Sequence, residues 1–269
     1  MTGLVPRVPA HAVDAIGQFL RAHALGNGAD GVVVGLSGGI DSALVARLAR
    51  DALGADHVLG VLLPDAPFPD PLLKETEAFA RELGIGSRTI PIEPVEQAYR
   101  TLLPELVDRV SLGNAKARIR MIVLYAIARE RHLLVAGTGN KSELLLGYFT
   151  KYGDGGVDLL PLGDLYKTDV RAIAQELGLP AAVRERPPTA GLWEGQTDEG
   201  ELGISYADAD QILYGLEQLR NEEEVAALTG LPLERVRAVA DRVARFRHKR
   251  RQPPIPKLRL RTIGIDWRE

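Results

Sequence analysis

The stretch that decides the fold is Gly35-Leu36-Ser37-Gly38-Gly39-Ile40-Asp41-Ser42, which lies between two strongly patterned segments. Before it, residues 31–36 (GVVVGL) form a short run rich in β-branched residues, which indicates a strand buried on both faces. After it, residues 41–53 have the pattern of a helix. A buried strand that leads through a glycine-rich turn into a helix is typical of parallel α/β sheets, where ligands bind beyond the carboxyl ends of the strands.

The residue types in this loop suit phosphate binding. Glycines let the backbone approach an anion closely, and the free N–H groups at the start of the next helix attract phosphate. Ser37 and Ser42 add hydroxyl donors, and Asp41 places a carboxylate where Mg²⁺ could bridge phosphates. The loop lacks the lysine of the Walker pattern and does not fit G-x-G-x-x-G. One alternative is a structural turn in which Asp41 and Ser42 only cap the helix.

A second alternative is a serine hydrolase, because residues 35–39 also fit the G-x-S-x-G nucleophile elbow with Ser37 as nucleophile. The base and the acid of such a triad would come from His132 or His248 and from Asp65 or Asp108. That elbow usually follows a later strand of the sheet, and the hydrolase reading leaves Asp41 without a role.

Strand and helix patterns alternate through the first 180 residues. Helices are predicted at residues 12–25, 41–53, 71–83, 114–130 and 168–177, and strands at 31–36, 57–63, 87–92 and 132–136. This alternation predicts a doubly wound, Rossmann-like parallel sheet. We treat residues 1–269 as one domain: an α/β core over 1–180, a mobile loop over 184–203, and a helical C-terminal extension and tail over 205–269. The extension carries one apolar stripe of Val236, Val239, Ala240, Val243 and Phe246.

Composition narrows the class of protein. The 269 residues carry a net charge of −3, which argues against a nucleic-acid-binding protein. The chain has no cysteine, which excludes a disulfide scaffold, a zinc–thiolate site and a cysteine nucleophile. Residues 1–28 show no signal-peptide core, and no apolar run approaches the ~18 residues of a membrane span. We therefore expect a cytoplasmic enzyme without a nucleic-acid or membrane partner.

Three further segments carry polar residues that suit a binding site. Residues 138–143 (TGNKSE) follow the fourth predicted strand, and residues 147–158 (GYFTKYGDGGVD) and 162–168 (LGDLYKT) come next. Their lysines suit anions, and their aspartates suit a metal ion or a ribose. The alternative is a surface turn at 152–156.

Residues 37–42 (SGGIDS) resemble the SGGxDS loop of the PP-loop ATPases, which cleave ATP between the α and β phosphates. Residues 149–156 (FTKYGDGG) resemble the ammonia-dependent NAD⁺ synthetases, and this resemblance extends over about residues 31–249. It implies an α/β PP-loop fold of the adenine nucleotide α-hydrolase type and a cytoplasmic homodimer. The implied ligase adenylates the nicotinate carboxylate of deamido-NAD⁺, releases pyrophosphate and lets ammonia displace AMP.

The resemblance also implies roles for particular residues. The ATP contacts are Gly35, Leu36, Ser37, Gly38, Gly39, Ile40, Asp41, Ser42, Thr138, Lys167 and Thr189. The Mg²⁺ ligands are Asp41 and Glu143. The deamido-NAD⁺ contacts are Arg118, Tyr148, Lys151, Asp158, Glu201, His248 and Lys249. Asp154 matches the acid that receives the ammonium ion, and Lys167 adds positive charge where negative charge develops.

Some of these residues have plainer interpretations. Lys116, Arg118 and Arg120 also fit a solvated helix face, Tyr148 and Phe149 fit a core, and residues 248–251 fit a basic tail. The chain departs from many relatives at residues 139–143, where they have DHAAE, and at Leu62, where an arginine is frequent. The first departure is closer to glutamine-dependent and archaeal relatives, and the second leaves the adenine contacts open.

Two other functions compete within this fold. One is another PP-loop enzyme, such as GMP synthetase or a tRNA-modifying sulfurtransferase. Sulfurtransferases usually need catalytic cysteines, and a tRNA enzyme should carry a broad basic surface, whereas this chain has no cysteine and a negative net charge. A non-catalytic nucleotide-binding module has no need of metal carboxylates at two strand ends. Only one predicted helix precedes Ser37, so we expect no amidase domain and direct use of ammonia, which a separate glutaminase could deliver in the cell.

Overall fold

The computed structural model describes residues 4–65 and 69–263. The end of the predicted tail, residues 264–269, lies outside the described residues. In the two described ranges four strands form one sheet: β1 (Gly31–Gly35), β2 (Val58–Leu62), β3 (Gly86–Thr89) and β4 (Leu133–Ala136). Their order is β3-β2-β1-β4, and every neighbouring pair is parallel. The predicted parallel sheet is confirmed.

Within the described residues, twelve α-helices surround or extend this sheet. They are α1 (Ala12–His23), α2 (Ile40–Leu53), α3 (Asp70–Leu83), α4 (Glu93–Leu102), α5 (Arg109–Arg131), α6 (Lys141–Leu146), α7 (Lys167–Glu176), α8 (Ala181–Arg184), α9 (Asp198–Leu202), α10 (Tyr206–Glu217), α11 (Glu222–Thr229) and α12 (Leu233–Arg245). A 3₁₀ turn, Arg247–Arg250, follows α12. Across the described ranges, no helix is long and apolar enough to cross a membrane.

Both faces of the sheet are covered, as a doubly wound fold requires. Val32 and Val34 of β1 join the core formed with α1, α2 and α7. Val33 points to the other face, where it joins Ile119 and Ile127 of α5. Because successive side chains of a strand alternate between faces, the run of valines in β1 serves two cores at once.

Several helices depart from the predictions. The helix predicted at 114–130 begins at Arg109, because the Asp108 carboxylate caps it by accepting hydrogen bonds from the backbone N–H groups of Val110 (2.9 Å) and Ser111 (3.1 Å). Helices α4, α6, α8 and α9 were not predicted. The strand predicted at 87–92 is the exposed edge strand β3 and ends at Thr89, three residues before that prediction.

The C-terminal extension has its own core, and the helices predicted over residues 205–248 are confirmed. Val225 of α11 and Val236 of α12 are fully buried there, together with Leu146 from α6. Val236 and Val239 of the predicted stripe are buried, while its other three members are half-buried. The segment of residues 184–203 contains the short helix α9, and its mobility stays a prediction.

The sheet order determines where a site can form. Strands β1 and β4 are neighbours and parallel, so their carboxyl ends lie side by side at one edge of the sheet. The loop after β1 (residues 36–39) and the loop after β4 (residues 137–140) therefore meet, although about a hundred residues separate them.

Candidate active site

Hydrogen bonds of Ser37 and Ser42 fix the conformation of the loop after β1. The Ser42 hydroxyl is buried, accepts a hydrogen bond from the Ser37 N–H (3.3 Å) and donates one to the Gly39 carbonyl (3.0 Å). The Ser37 hydroxyl lies 3.2 Å from that of Ser42 and accepts the Gly39 N–H at 3.3 Å. Among the described residues, no side chain caps the start of α2. Its first N–H groups are thus free to bind an anion, as the sequence predicts.

Gly38 lets this loop pass close to α3. Its φ is +78°, and a Cβ built there would lie 2.5 Å from Leu72 Cδ1 and 2.8 Å from Thr76 Oγ1. Both the backbone conformation and the close approach require glycine at this position.

The two predicted metal carboxylates come together on one lysine. Lys167 Nζ lies 2.5 Å from Asp41 Oδ2 and 3.2 Å from Glu143 Oε1. Asp41 is the second residue of α2 after β1, Glu143 lies in α6 after β4, and Lys167 is the first residue of α7. The lysine side chain is 3% exposed and each carboxylate 16%. We call these three residues the carboxylate–lysine cluster.

Neighbouring polar side chains fix the cluster in place. Asn140 donates a hydrogen bond from Nδ2 to Asp41 (2.9 Å) and caps α6 by accepting the Glu143 N–H (3.0 Å). On the other side, fully buried Asp210 of α10 accepts the Ser142 hydroxyl and the Thr168 N–H. The C-terminal extension thus positions the start of α7. Sequence reasoning placed Asn140 in the polar segment 138–143 without giving it a role, and it missed Asp210, because only the fold brings these side chains to the cluster.

Burial and neighbouring charges both shift the pKa values of the side chains in the carboxylate–lysine cluster. Burial raises the pKa of Glu143, although the Lys167 ammonium opposes that change. Burial alone would lower the pKa of Lys167, but the carboxylates of Asp41 and Glu143 outweigh it and raise that pKa. Lys167 therefore stays charged near neutral pH and occupies a place suited to a cation.

The segment of residues 184–203 lies against this cluster. Asp198 is 4% exposed and interacts electrostatically with Lys167. Its Oδ2 accepts a hydrogen bond from the Tyr206 hydroxyl at 3.2 Å, whereas its buried Oδ1 has no hydrogen-bond partner among the described residues. Burial raises the pKa of Asp198. The residues that could hold Mg²⁺ are thus Asp41 and Glu143, with Asp198 nearby, although no group of three or more metal-ligand side chains is close enough within the described ranges to form a complete site.

The predicted deamido-NAD⁺ residues form a second, more open group. Lys249 Nζ donates hydrogen bonds to the carbonyls of Gly147 and Phe149, both at 2.7 Å. Lys151 Nζ donates to the His248 carbonyl at 3.0 Å, and exposed Arg118 donates to the Lys151 carbonyl at 3.3 Å. We call Arg118, Lys151, His248 and Lys249 the basic group. The structure brings these four together from α5, the loop after α6 and the 3₁₀ turn.

Asp154 lies beside the basic group. Its Oδ1 accepts the Thr150 N–H at 2.8 Å, and it interacts electrostatically with Lys249. Asp154 keeps some exposed surface, but the protein around its carboxyl group removes part of the hydration of that group. This desolvation raises the pKa of Asp154. Burial lowers the pKa of Lys249, an effect that Asp154 opposes.

Tyr148 and Glu201 link the two groups. The Tyr148 hydroxyl donates to Glu201 Oε2 at 2.7 Å and also interacts with Asp198. Burial and the Glu201 carboxylate raise the pKa of Tyr148. Tyr148 is half-buried against the extension, so it takes part in packing as well as facing the site.

The remaining predicted residues have less direct placements. Thr138 is half-buried two residues after β4, and exposed Thr189 lies in the 184–203 segment, where its hydroxyl accepts the Gly191 N–H at 3.1 Å. The Asp158 carboxylate is engaged within the chain by the Tyr125 hydroxyl (2.9 Å) and the Val135 N–H (2.8 Å). Their ligand roles stay predictions.

The alternative of a solvated face at Lys116, Arg118 and Arg120 is wrong for Lys116. That side chain is 7% exposed and pairs with buried Asp65 at 2.7 Å. Arg120 is partly buried and lies 3.5 Å from the same carboxylate, while Arg118 is exposed. Asp65 is 51 residues away in the sequence, so spacing along the chain gave no signal of this pair.

The serine hydrolase alternative finds no support in the geometry. The Ser37 hydroxyl is engaged by Ser42 and Gly39. His132 ends α5 just before β4, at the amino-terminal edge of the sheet and so opposite to Ser37. His248 instead contacts the Arg245 carbonyl, and the proposed acid Asp65 is paired with Lys116.

Comparisons with known proteins agree with this geometry. The sequence model of the NAD synthase family matches residues 12–253. An NH(3)-dependent NAD(+) synthetase of Methanococcoides burtonii is 48% identical over 95% of this chain and 97% of that protein. An NMN synthetase structure from Francisella tularensis has a TM-score of 0.82 at 32% identity, covering 94% of this chain and 100% of that one.

A second structural relative is similar over nearly its whole length. The NH3-dependent NAD synthetase from Campylobacter jejuni, solved in complex with the nitrate ion, has a TM-score of 0.78 at 32% identity and covers 91% of this chain and 97% of that one. The family match spans more than half of the chain and includes both groups of site residues. The chain therefore belongs to the NAD synthase family.

Proposed function

We propose that this chain forms NAD⁺ from deamido-NAD⁺, ATP and ammonia through an adenylate, with release of pyrophosphate and AMP. The observation that carries the proposal is the convergence of Asp41, Glu143 and Lys167 beside the free start of α2. The start of α2 can then bind phosphate, the two carboxylates can bind a metal ion, and Lys167 can stabilise the negative charge that develops, all in one place.

In the first step the chain's residues hold ATP in line with the attacking carboxylate. The glycines and serines of residues 35–42 and the start of α2 bind phosphate oxygens, and Lys167 places positive charge on the pyrophosphate side. Asp41 and Glu143 would hold Mg²⁺, which when bound would supply positive charge against the leaving pyrophosphate. The present position of the Lys167 ammonium between these carboxylates supports a cation there.

In the second step ammonia replaces AMP. Asp154 attracts ammonium, and because its pKa is raised, it accepts a proton more readily than an ordinary aspartate. The basic group of Arg118, Lys151, His248 and Lys249 lies next to it and suits the phosphates of a dinucleotide.

We also propose a cytoplasmic homodimer that pairs through the region of α4 and α5. Apolar side chains are exposed there, including Leu102 (75%), Val107 (80%), Val110 (53%) and Ile122 (61%). Exposed apolar surface of this kind favours a protein–protein contact. Ammonia could reach the enzyme from a separate glutaminase.

The decisive assay supplies ATP, deamido-NAD⁺ and ammonium and follows AMP, pyrophosphate and NAD⁺. Equimolar formation of all three supports the proposal, and ATP turnover without NAD⁺ contradicts it. Glutamine freed of ammonia should give no NAD⁺ with the purified chain, because the chain has no cysteine to form the usual thioester.

The acceptor is the point at which the relatives divide, since one structural relative is an NMN synthetase. The same assay should therefore include nicotinate mononucleotide in place of deamido-NAD⁺. We expect the dinucleotide to give the higher kcat/KM, because the basic group offers several cations to a second phosphate. A higher kcat/KM for the mononucleotide would reassign the substrate while leaving the adenylation chemistry intact.

A further inference from the structure

One face of α5 receives the middle of the 184–203 segment. Gly113 and Lys116 are three residues apart and so lie on the same side of the helix. Lys116 Nζ donates a hydrogen bond to the Leu192 carbonyl at 3.1 Å. A Cβ built on Gly113 would lie 3.1 Å from Leu192 Cβ and 3.1 Å from Trp193 Cζ3. The segment thus packs directly on the helix backbone at Gly113 and is hydrogen-bonded at Lys116.

Lys116 also joins this contact to the sheet. Its ammonium lies 2.7 Å from Asp65 Oδ2, just beyond β2, and 3.8 Å from Glu96 Oε1 of α4. A lysine this deeply buried is costly unless it is paired, and here the pairing is made across three elements. None of the activities described above uses this lysine, so its burial needs another explanation.

The docked segment leads to the active site by a chain of hydrogen bonds. Gln196 accepts the Leu192 N–H at 2.8 Å and donates to Glu201 at 3.2 Å, and Glu201 accepts the Tyr148 hydroxyl. Earlier in the segment, Arg186 donates to the Gly38 carbonyl of the phosphate loop and pairs with Glu75 at 2.6 Å. The same segment therefore contacts both sides of the site, at Gly38 and at Tyr148.

We propose that Lys116 is a positioning residue that, with Gly113, docks Leu192 and Trp193 and thereby holds the 184–203 segment closed over the reacting groups. The effect on catalysis rests on the proposed function, whereas docking itself does not. The closed segment excludes water from the adenylate, so a loosened segment lets water compete with ammonia.

Trp193 provides a direct readout of docking. The only other tryptophan, Trp267, lies outside the described residues and can be replaced in a Trp267→Phe background. In that background the fluorescence emission of Trp193 and its quenching by acrylamide report the environment of the segment. The Arg109 guanidinium lies 5.3 Å from the centre of the Trp193 ring. This measurement needs no substrate.

The first variant is Lys116→Met combined with Asp65→Asn, which removes both members of the closest buried pair, while Glu96 keeps its ion pair with Arg100. We expect stronger quenching of Trp193, a kcat for NAD⁺ formation lower by about tenfold from the loss of one charged hydrogen bond, and more AMP formed per NAD⁺. A KM change alone, with unchanged quenching, would overturn the proposal.

The second variant, Gly113→Ala, tests docking without touching any charge. Alanine favours the helix but pushes Leu192 and Trp193 away. Gly17→Ala is the matched control, because Gly17 also lies within a helix and its added Cβ would meet neighbours only at an ordinary 3.6 Å. We expect Gly113→Ala to raise the quenching of Trp193 and the AMP-to-NAD⁺ ratio, and Gly17→Ala to change neither.

The outcomes separate the two proposals. If neither the wild-type protein nor any variant makes NAD⁺, but Gly113→Ala still exposes Trp193, the docking of the segment is supported and the proposed function is wrong. If NAD⁺ forms normally and Gly113→Ala leaves both quenching and the AMP-to-NAD⁺ ratio unchanged, the positioning role is wrong. Should the double variant not fold, Gly113→Ala decides alone.

Discussion

The two halves of the site are built differently. The carboxylate–lysine cluster is buried, and its members contact one another directly at adjacent strand ends. The basic group is more exposed, and its lysines contact mainly backbone carbonyls of other segments. A buried charged side chain that is paired with other charges is held in one position. A more exposed lysine that is hydrogen-bonded to a backbone carbonyl can instead rotate to bind a ligand. We infer that the first half performs the chemistry and the second half selects and holds the acceptor.

The strongest way to break this distinction is to neutralise the cluster. Asp41→Asn or Glu143→Gln should reduce ATP–pyrophosphate exchange by about a hundredfold to a thousandfold, because charge on the transferring groups is no longer balanced. Circular dichroism should show an intact fold. Asp164→Asn is the control: its side chain is 96% exposed and its only close partner in the described chain is Lys141, so exchange should stay normal. Near-normal exchange in both cluster variants would disprove the metal assignment.

Gly38→Ala should impair ATP binding by changing the conformation of the phosphate loop rather than its charge. The left-handed backbone disfavours alanine by about 1–2 kcal/mol, and the new Cβ would also collide with Leu72 and Thr76. We expect a KM for ATP raised about tenfold or more, a step worth about 1.4 kcal/mol of binding. Gly84→Ala has a similar φ of +71° with open space around the Cβ, so it isolates backbone strain. If both variants lose stability equally and bind ATP equally, the close approach at Gly38 has no functional role.

Lys249→Ala tests the other half of the site. The KM for deamido-NAD⁺ should rise about tenfold, because one charged hydrogen-bond donor is lost, while the KM for ATP stays within about twofold. Arg247→Ala removes an exposed charge two residues earlier and should change neither constant. Steady-state kinetics with each substrate varied in turn measures both. A large fall in ATP–pyrophosphate exchange at saturating deamido-NAD⁺ would place Lys249 in the chemistry and remove the distinction.

The same difference explains what could be predicted from the sequence. Asp41 and Glu143 each follow a patterned strand closely, and neighbouring parallel strands bring such residues together. Asn140 and Glu143 form a local helix-capping pattern, but nothing in the sequence shows that Asn140 also bonds Asp41, and no local pattern marks Asp198. The buried pair of Lys116 and Asp65 was hidden for the same reason.

Two errors in the helices had local signals. Asp108 is a good N-cap and could have moved the predicted start of α5 from residue 114 to Arg109. Pro94 at the start of α4 is likewise a typical first-turn residue. Edge strand β3 gave the weakest pattern, because none of its four residues is buried and its hydrophobic signal is therefore small.

Ser37→Ala should have the smallest effect, and it sharpens the assignment of the phosphate loop. The Ser37 hydroxyl makes neutral hydrogen bonds to Ser42 and to the Gly39 N–H, each worth about 1 kcal/mol, so kcat/KM for ATP should fall less than about tenfold. Ser42→Ala should cost more, because that hydroxyl is buried and bonds three groups of the loop. A hydrolase nucleophile would behave in the opposite way, since replacing Ser37 would then abolish activity while Ser42 would be secondary. Measuring NAD⁺ formation for both variants under identical conditions distinguishes these orders, and only the first is compatible with a loop whose hydroxyls shape the path of the backbone around phosphate.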